Sequence, residues 1–448
     1  MKELERRVRG AQAEGRVPAV QAAVVRADRP DWAFTVGGSG TDRPLDDASQ
    51  FRMGSVTKTF TAVLALQARD AGLIDLDDPV GRHLPLDAHG VHTFRRLLSH
   101  TSGIQREPDG DVWDSLRVPG AADLLAELHR AEQVLPSARR FHYSNLGLAL
   151  VGQAVAALRG GTWEEVLTDL VLKPLGLTSI TSEPTDVAVT GYQVDAYSDH
   201  ARVEPRLECG GIAPAAQLWG TALDLARWAA FLTDPASVDP AGAVLAEATL
   251  EEARWPVTTN DAEVWGAAFG LGLIMVPQAD RVVHVGHDGA MPGFLAAAYG
   301  RRGPGSPRGM GAAVLGSSGN GAVVLDLAHD LLAASVENDP VDVTPWAPGA
   351  SVPDEFRSVL GRWWGEGFEH IFRWENGHLV ARAAGLPADR APAVFEPQSA
   401  DVLRTVSGRE VGELLRLTRD ASGTVVGLHW ATYRFSRDQQ AFDGGSFS

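Results

Sequence analysis

Ser55 and Lys58 stand three residues apart in the run FRMGSVTKTFTAVLAL, Phe51 to Leu66. The chain has 40 basic residues, but lysine occurs only at Lys2, Lys58 and Lys173, which leaves 40 − 3 = 37 arginines. A guanidinium stays charged in proteins, whereas an amine can lose its proton and serve as a base, so a lysine in an arginine-rich chain invites a chemical reading. Residues three apart on a helix are neighbours, and this spacing sets an amine against a hydroxyl. At a helix start, the dipole and burial both disfavour an ammonium, and the free backbone N–H groups there can hold an oxyanion. The chemistry such a pair serves is nucleophilic: the hydroxyl yields its proton to the amine and attacks a carbonyl. Alone, the pattern describes equally well an N-capping serine and a solvated first-turn lysine.

Three further stretches give it context. RFHYSNLGLALVG holds Tyr143, Ser144 and Asn145 directly before helical text, LLSHTSG spans Leu97 to Gly103, and HVGHDGAMPGF holds His287, Asp288 and Gly289 at the start of a strand. Singly, Tyr143 reads as a core tyrosine and His287 as a structural histidine beside His284. In order, Ser55-x-x-Lys58, Tyr143-x-Asn145 and His287-x-Gly289 resemble the three motifs of the penicillin-binding protein and class C β-lactamase family of active-site serine enzymes, over about residues 5 to 335.

The resemblance implies a role for each residue. Ser55 would be the nucleophile. Lys58 and Tyr143 would share the proton work, with either the amine or a phenolate as base. Asn145 would hydrogen-bond Lys58 and the substrate amide, and the N–H groups of Ser55 and Ala290 would form the oxyanion hole. His287 stands where β-lactam specialists carry a lysine, with Gly289 closing the motif beside the substrate. Asp288 would repel a free substrate carboxylate, so β-lactam hydrolysis is not expected. Trp219, in EPRLECGGIAPAAQLWGTALDLARW, would wall the substrate cleft. His100 reads as structural, and Cys209, with no histidine nearby, as a buried inert thiol. No cofactor is implied, and His83, His89 and His92 lack metal-ligand spacing.

These residues need a scaffold. A chain of 448 residues predicts two or three domains, and 44% hydrophobic with 22% charged residues suits a soluble enzyme. The formal charge of −17 disfavours nucleic acid and anionic membrane as partners. One cysteine excludes an internal disulfide. The charged, amphipathic N-terminus lacks an export signal and no run is long and apolar enough to span a bilayer, so a cytoplasmic location away from membranes is expected.

VQAAVVRA and DWAFTVGG flank the turn composition DRPD and predict a hairpin. Helical text follows, including AADLLAELHRAE, NLGLALVGQAVAAL, TWEEVLTDLVLKPLG and TALDLARWAAFL. Strand-like text returns in GLGLIMV, RVVHVGH, FLAAAYG and MGAAVLGS before a closing helix, AVVLDLAHDLLAAS. The sum is an α+β catalytic domain, residues 1–336, with an antiparallel sheet made from both ends, a helical insertion, and a cleft where they meet. ENDPVDVTPWAPGASVPD, with four prolines, marks a linker at 337–354. Residues 355–448 predict a small antiparallel β-barrel, with Asn376-Gly377 turning a hairpin, two strands around DASG, and Trp363, Trp364, Trp374 and Trp430 in its core.

That second domain resembles the lipocalin-like appendage of some relatives, among them the stand-alone penicillin-binding-protein-type thioesterases. The resemblance implies an acyl-enzyme that takes a nonribosomal peptide from a peptidyl carrier protein and releases it by head-to-tail cyclisation, with a D-residue at the acylating end. The β-domain would help to cover the cleft and exclude water; Arg434 and Arg437 read equally well as contacts to the bound peptide or as solvated strand residues. The substrate is then a peptidyl thioester or another peptide or ester. The alternative within the same chemistry is a D-amino-acid-directed peptidase or esterase, in which water resolves the ester. A binding or sensor protein that has lost turnover is a different class, and the intact Ser55, Lys58 and Tyr143 set argues against it.

Overall fold

Strand β1 (Ala19–Arg26) is buried along its whole length because both faces of its sheet are covered. Ala19, Ala23 and Val25 join one core while Val20, Ala22 and Val24 join the other, so the two-residue period of a strand is read out on two faces. The computed structural model describes residues 2–321, 323–343, 345–387 and 390–439. The chain divides into two compact units, Met1–Val341 and Asp342–Ser448.

In the first unit β1 pairs with β2 (Arg29–Gly37), and the sheet is completed by β3 (Thr258–Thr259), β4 (Ala268–Phe269), β5 (Ile274–Pro277), β6 (Val283–Met291), β7 (Phe294–Arg302) and β8 (Gly311–Gly316). Their order is β2-β1-β8-β7-β6-β5-β4-β3, and every neighbouring pair is antiparallel. The hairpin turn is tighter than DRPD suggested. β2 already begins at Arg29 and includes Pro30, which an outermost strand tolerates because its N–H side need not pair.

The longer helices are α1 (Lys2–Glu14), α2 (Thr57–Asp70), α3 (Asn145–Arg159), α4 (Ala222–Thr233) and α5 (Val323–Asn338). α1 and α5 cover one face through Leu4, Val8, Leu327 and Leu331. α4 and the helical insertion between β2 and β3 cover the other. AADLLAELHRAE splits into a short helix, Ala121–Ala126, and a 3-10 turn, Leu128–Arg130.

α2 runs through the middle of the insertion. From Phe51 to Leu66 every residue is buried except Ser55, the signature of a helix enclosed on all sides. Its threonines are satisfied by their neighbours. The Thr57 hydroxyl accepts from the Leu218 N–H at 3.2 Å, that of Thr59 from the Trp228 indole at 2.7 Å, and that of Thr61 from the Trp163 indole at 3.1 Å. Among the described residues no helix is long and apolar enough to cross a membrane.

The second unit is a nearly closed barrel of eight antiparallel strands in chain order, from Gly361–Gly365 to Tyr433–Phe435. Trp364 and Ser436 exchange backbone hydrogen bonds of 2.8 and 3.0 Å and draw its first strand to its last. Asn376 and Gly377, at φ of 51° and 80°, turn the expected hairpin between Phe368–Glu375 and His378–Ala383. Trp363 and Trp430 are buried in the core with Phe372, Phe395 and Phe435, whereas Trp364 and Trp374 are half-buried. Arg437 lies 3.8 Å over the Trp363 ring and donates to the carbonyls of Ser358, Leu360 and Arg362. These bonds tie Arg437 to the segment that leads into the barrel's first strand. Arg434 sits on the last strand opposite His429.

Candidate active site

Ser55 lies in a 3-10 turn, Gly54–Val56, that runs directly into α2 and brings Lys58 one turn later onto the same side. Lys58 is fully buried. Its Nζ donates to the Ser55 hydroxyl at 2.9 Å and to the Ala215 carbonyl at 2.8 Å. Burial, the dominant cause, pulls the ammonium down to about 7; Arg106 pushes the same way, while Glu107 and Cys209 oppose it. An amine held against a solvent-reaching hydroxyl and half deprotonated near neutral pH is matched to the work of a general base.

Tyr143 immediately precedes α3. Ser144 caps that helix, its hydroxyl accepting from the Gly147 N–H at 2.9 Å, so the cap fixes where the tyrosine ring points. The ring stacks on His100 at 4.3 Å, lies under Lys58 Nζ at 4.9 Å and under the Arg106 guanidinium at 4.8 Å, and its hydroxyl faces the Ser55 side. Sequence reasoning allowed a phenolate beside an ammonium. Here burial outweighs the nearby cations and drives the phenol above its ordinary range, so Tyr143 keeps its proton.

His100 has the structural place expected of it. It is buried at φ 56°, and its Nδ1 accepts from the Ser144 N–H at 3.1 Å. Asn145 is buried beside the site, but its amide N–H donates to Glu107 at 2.6 Å rather than reaching Lys58, whose hydrogen bonds go to Ser55 and Ala215. The expected Asn145–Lys58 bond is corrected accordingly. The Asn145 Oδ1 is buried without a partner.

His287, Asp288 and Gly289 fall within β6 rather than at its start. β5 pairs with β6 only as far as Gly286, so the segment from His287 onward pairs with β7 alone. Two glycines let this free edge approach the serine turn. A Cβ on Gly289 would stand 2.0 Å from the Met53 carbonyl oxygen, and one on Gly54, at φ 52°, would stand 2.8 Å from the Ala290 nitrogen. Ala290 is thus brought beside the Ser55 turn, as an oxyanion hole requires. His287 is buried, its ring 6.1 Å from that of Tyr143; its Nδ1 pairs with the Asp288 carbonyl at 2.5 Å, and its Nε2 has no partner. Burial and then Lys58 push its imidazole down to about 3, so it is neutral.

Two expectations fail on geometry. The Asp288 side chain, one residue on from His287, turns to the opposite face of the sheet, toward Tyr299, a core residue beneath α5, and its Oδ1 is buried without a partner, so it is not aimed at a substrate carboxylate. Trp219 belongs to a two-residue strand paired with Phe51–Arg52, and only 1% of its surface is exposed. It packs edge-on to Phe294 between the guanidiniums of Arg52 and Arg206, as a core residue rather than a cleft wall. Cys209 is buried, takes a hydrogen bond from Arg52 at 3.2 Å, and is pushed up to about 11, mainly by burial. Glu107, Arg106 and the Ala215 carbonyl were missed. Arg106 and Glu107 lie on a loop and Ala215 in a four-residue helix, Ala213–Ala216, too short to show a period, and nothing in REPDG or APAAQ marks them by spacing.

Comparison with known proteins agrees with this arrangement. The family model described as Beta-lactamase matches residues 4–335. The chain belongs to the β-lactamase and penicillin-binding-protein family of serine enzymes. Residues 352–437 match a domain of unknown function, DUF7586. The chain is 31% identical over 367 residues to Penicillin-binding protein 4 of Amycolatopsis lactamdurans, covering 75% of this chain and 93% of that one. It is 29% identical over 293 residues to Beta-lactamase-like protein 2 of Dictyostelium discoideum, covering 60% of this chain but only 51% of the relative's length. Among solved structures, SurE is similar over 97% of this chain and 98% of its own at 24% identity and a TM-score of 0.63. SurE with D-Leu is similar at 25% identity and a TM-score of 0.57, covering 97% of this chain and 99% of that one.

Proposed function

We propose that this family member is an acyl-transferring thioesterase that forms an ester on Ser55 and releases a peptide, with a D-residue at its acylating end, by head-to-tail cyclisation. The observation that carries the acyl-enzyme is the 2.9 Å contact between a buried amine titrating near 7 and the one side chain in Phe51–Leu66 that is not buried. Lys58, as the free amine, takes the Ser55 proton while Oγ attacks the thioester carbonyl. The N–H groups of Ser55 and Ala290 face the oxyanion, and the expelled thiolate leaves with the proton from Lys58. The peptide's own amine then attacks the ester, its proton passes through Lys58 back to Ser55 Oγ, and the cyclic amide departs. Tyr143, kept protonated, donates a hydrogen bond within this relay. Asn145 offers its unpartnered Oδ1 to a substrate N–H.

The D-preference is supported by a likeness to SurE, solved with D-Leu, that covers 97% of this chain; head-to-tail cyclisation and delivery by a carrier protein are proposed with it. We read the barrel as the lipocalin-like appendage on its architecture, eight antiparallel strands paired in chain order. The second reading, hydrolysis of a D-residue peptide or ester, shares every step up to the ester and differs only in the nucleophile. A peptidyl thioester with a C-terminal D-residue and a free N-terminus separates them by mass spectrometry. Acyl mass on Ser55 with a product one water lighter than the free acid establishes cyclisation, whereas the acid alone gives the hydrolase. No acyl adduct, matching the Ser55→Ala control, overturns both.

A further inference from the structure

Glu107 is the residue whose placement the three motifs do not account for. It follows Arg106 in a loop that docks the Tyr143-Ser144-Asn145 turn: the Arg106 carbonyl accepts from the N–H groups of Asn145 and Leu146 at 2.8 and 3.1 Å, and the Gln105 carbonyl from the Ser144 hydroxyl at 2.7 Å. One Glu107 oxygen accepts from the Asn145 amide at 2.6 Å and lies 3.5 Å from the Arg106 guanidinium. The other is buried and has no hydrogen-bond partner. Only 15% of the side chain is exposed, so its charge is poorly screened.

We propose that Glu107 is a positioning residue: it holds the Asn145 amide in place and, from the loop whose Arg106 lies over the same Tyr143 ring as Lys58, brings a buried carboxylate to bear on that amine. The groups facing Lys58 are Tyr143 and His100, His287 on β6, the Cys209 thiol, and the Arg106–Glu107 pair. Tyr143, His100 and Cys209 are all shifted toward their neutral forms by burial, and His287 is neutral as well, so they contribute little net charge near pH 7. What remains is a cation and an anion in tandem, one on either side of neutrality. Arg106 favours the free amine, Glu107 the ammonium, and the carboxylate is the larger influence. Glu107 therefore keeps a deeply buried amine from losing its proton altogether. A lysine that returns protons to a leaving group needs that capacity as much as it needs to accept them.

The proposal rests on Lys58 as the proton carrier for Ser55, and its test is independent of turnover. The chain has three lysines, Lys2, Lys58 and Lys173, so NMR of protein carrying ¹³C-labelled lysine resolves the titration of Lys58, with Lys58→Met assigning its signal. In Glu107→Gln, the Lys58 titration is expected to move to lower pH by half a unit or more, and the acid limb of Ser55 acylation to move with it. In Glu107→Asp, which keeps the charge and shortens its reach to Asn145, the titration is expected to stay nearer to that of the unaltered protein while acylation slows about tenfold. A far-ultraviolet circular dichroism spectrum and melting temperature matching those of the unaltered protein report an intact fold. A Lys58 midpoint in Glu107→Gln within about 0.2 pH unit of the unaltered protein overturns the proposal. If the unaltered protein forms no acyl-enzyme, the functional reading falls, and the lysine titration still decides the role of Glu107.

Discussion

The two faces of β6 carry two clusters of ionisable side chains, and the contrast between them shows what makes one a site. On one face His287 meets Tyr143, Lys58 and Ser55. On the other, Asp288 turns toward Tyr299, whose ring packs on His329, and His329 Nδ1 lies 2.8 Å from His284 Nδ1. Both clusters are strongly perturbed: burial drives His287 and His284 alike down to about 3. A displaced proton affinity therefore does not by itself mark catalysis. What distinguishes the first face is a nucleophile in reach of solvent, bonded to a buried amine that titrates near 7, with a strand edge lacking a partner on its far side. The second face is closed over by α5, where His284 and His329 pair with each other and Asp288 Oδ1 and His284 Nε2 are sealed away without a partner.

The sharpest way to test that contrast is to remove one proton carrier from each face. Lys58→Met, close in volume and free of charge, is expected to slow Ser55 acylation by about 10²–10⁴-fold while leaving the melting temperature unchanged or raised, since a buried amine gives way to an apolar chain. Tyr299→Phe is expected to leave acylation within about threefold, because its hydroxyl serves the strand and not the substrate. Rates of adduct formation from an activated acyl donor, read by intact mass, make the comparison. Equal losses in the two variants would dissolve the distinction between the faces.

Much of this was legible in the sequence. The α+β sheet built from both ends of the chain, the helical insertion and the barrel followed from period and punctuation, and Ser55, Lys58, Tyr143 and His287 converge as their ordered motifs imply. Orientation was less legible. Whether Asp288 faces the site or α5 depends on a strand's two-residue alternation relative to a neighbour that sequence alone does not pair. Trp219 gave no hint that its strand would be internal. The direction of the Tyr143 shift depended on burial outweighing charge, a balance of magnitudes that spacing does not carry. Loop residues such as Glu107 were out of reach, because contact through a docked turn leaves no periodic trace.

The next effect in size concerns the closeness of the two elements at the site. Gly289→Ala would put a methyl 2.0 Å from the Met53 carbonyl oxygen, and backbone cannot rotate away as a side chain can. Either β6 or the serine turn must retreat, at a cost of about 1–3 kcal/mol by the usual scale of overpacking. Acylation should fall with it, as the Ala290 N–H draws back from Ser55. Paired urea midpoints and acylation rates test this. A variant as stable as the parent and fully active would show that the glycine is not what sets the approach, and the account of the first face would lose its geometric basis.

The smallest effect on acylation belongs to the sealed face, whose effect on stability has its sign fixed by Asp288. Burial raises that carboxyl to about 6 against an ordinary 3.8, with Tyr299 pulling the other way and Asp326 adding to the rise. The folded protein thus binds this proton more tightly than the unfolded chain does, so stability from this group is full below about pH 4 and is lost as pH climbs toward 6. Asp288→Asn, which carries no charge at any pH, is expected to equal the parent in stability near pH 4 and exceed it by about 3 kcal/mol above pH 7. His284 and His329, both lowered chiefly by burial, act in the opposite sense and lose stability as pH falls below 6.5, but they do so in parent and variant alike. The difference between the two urea-denaturation profiles therefore isolates the carboxylate. A constant difference across pH would mean that Asp288 is ionised in the fold at low pH too, and that the second face is wetter than its packing under α5 implies.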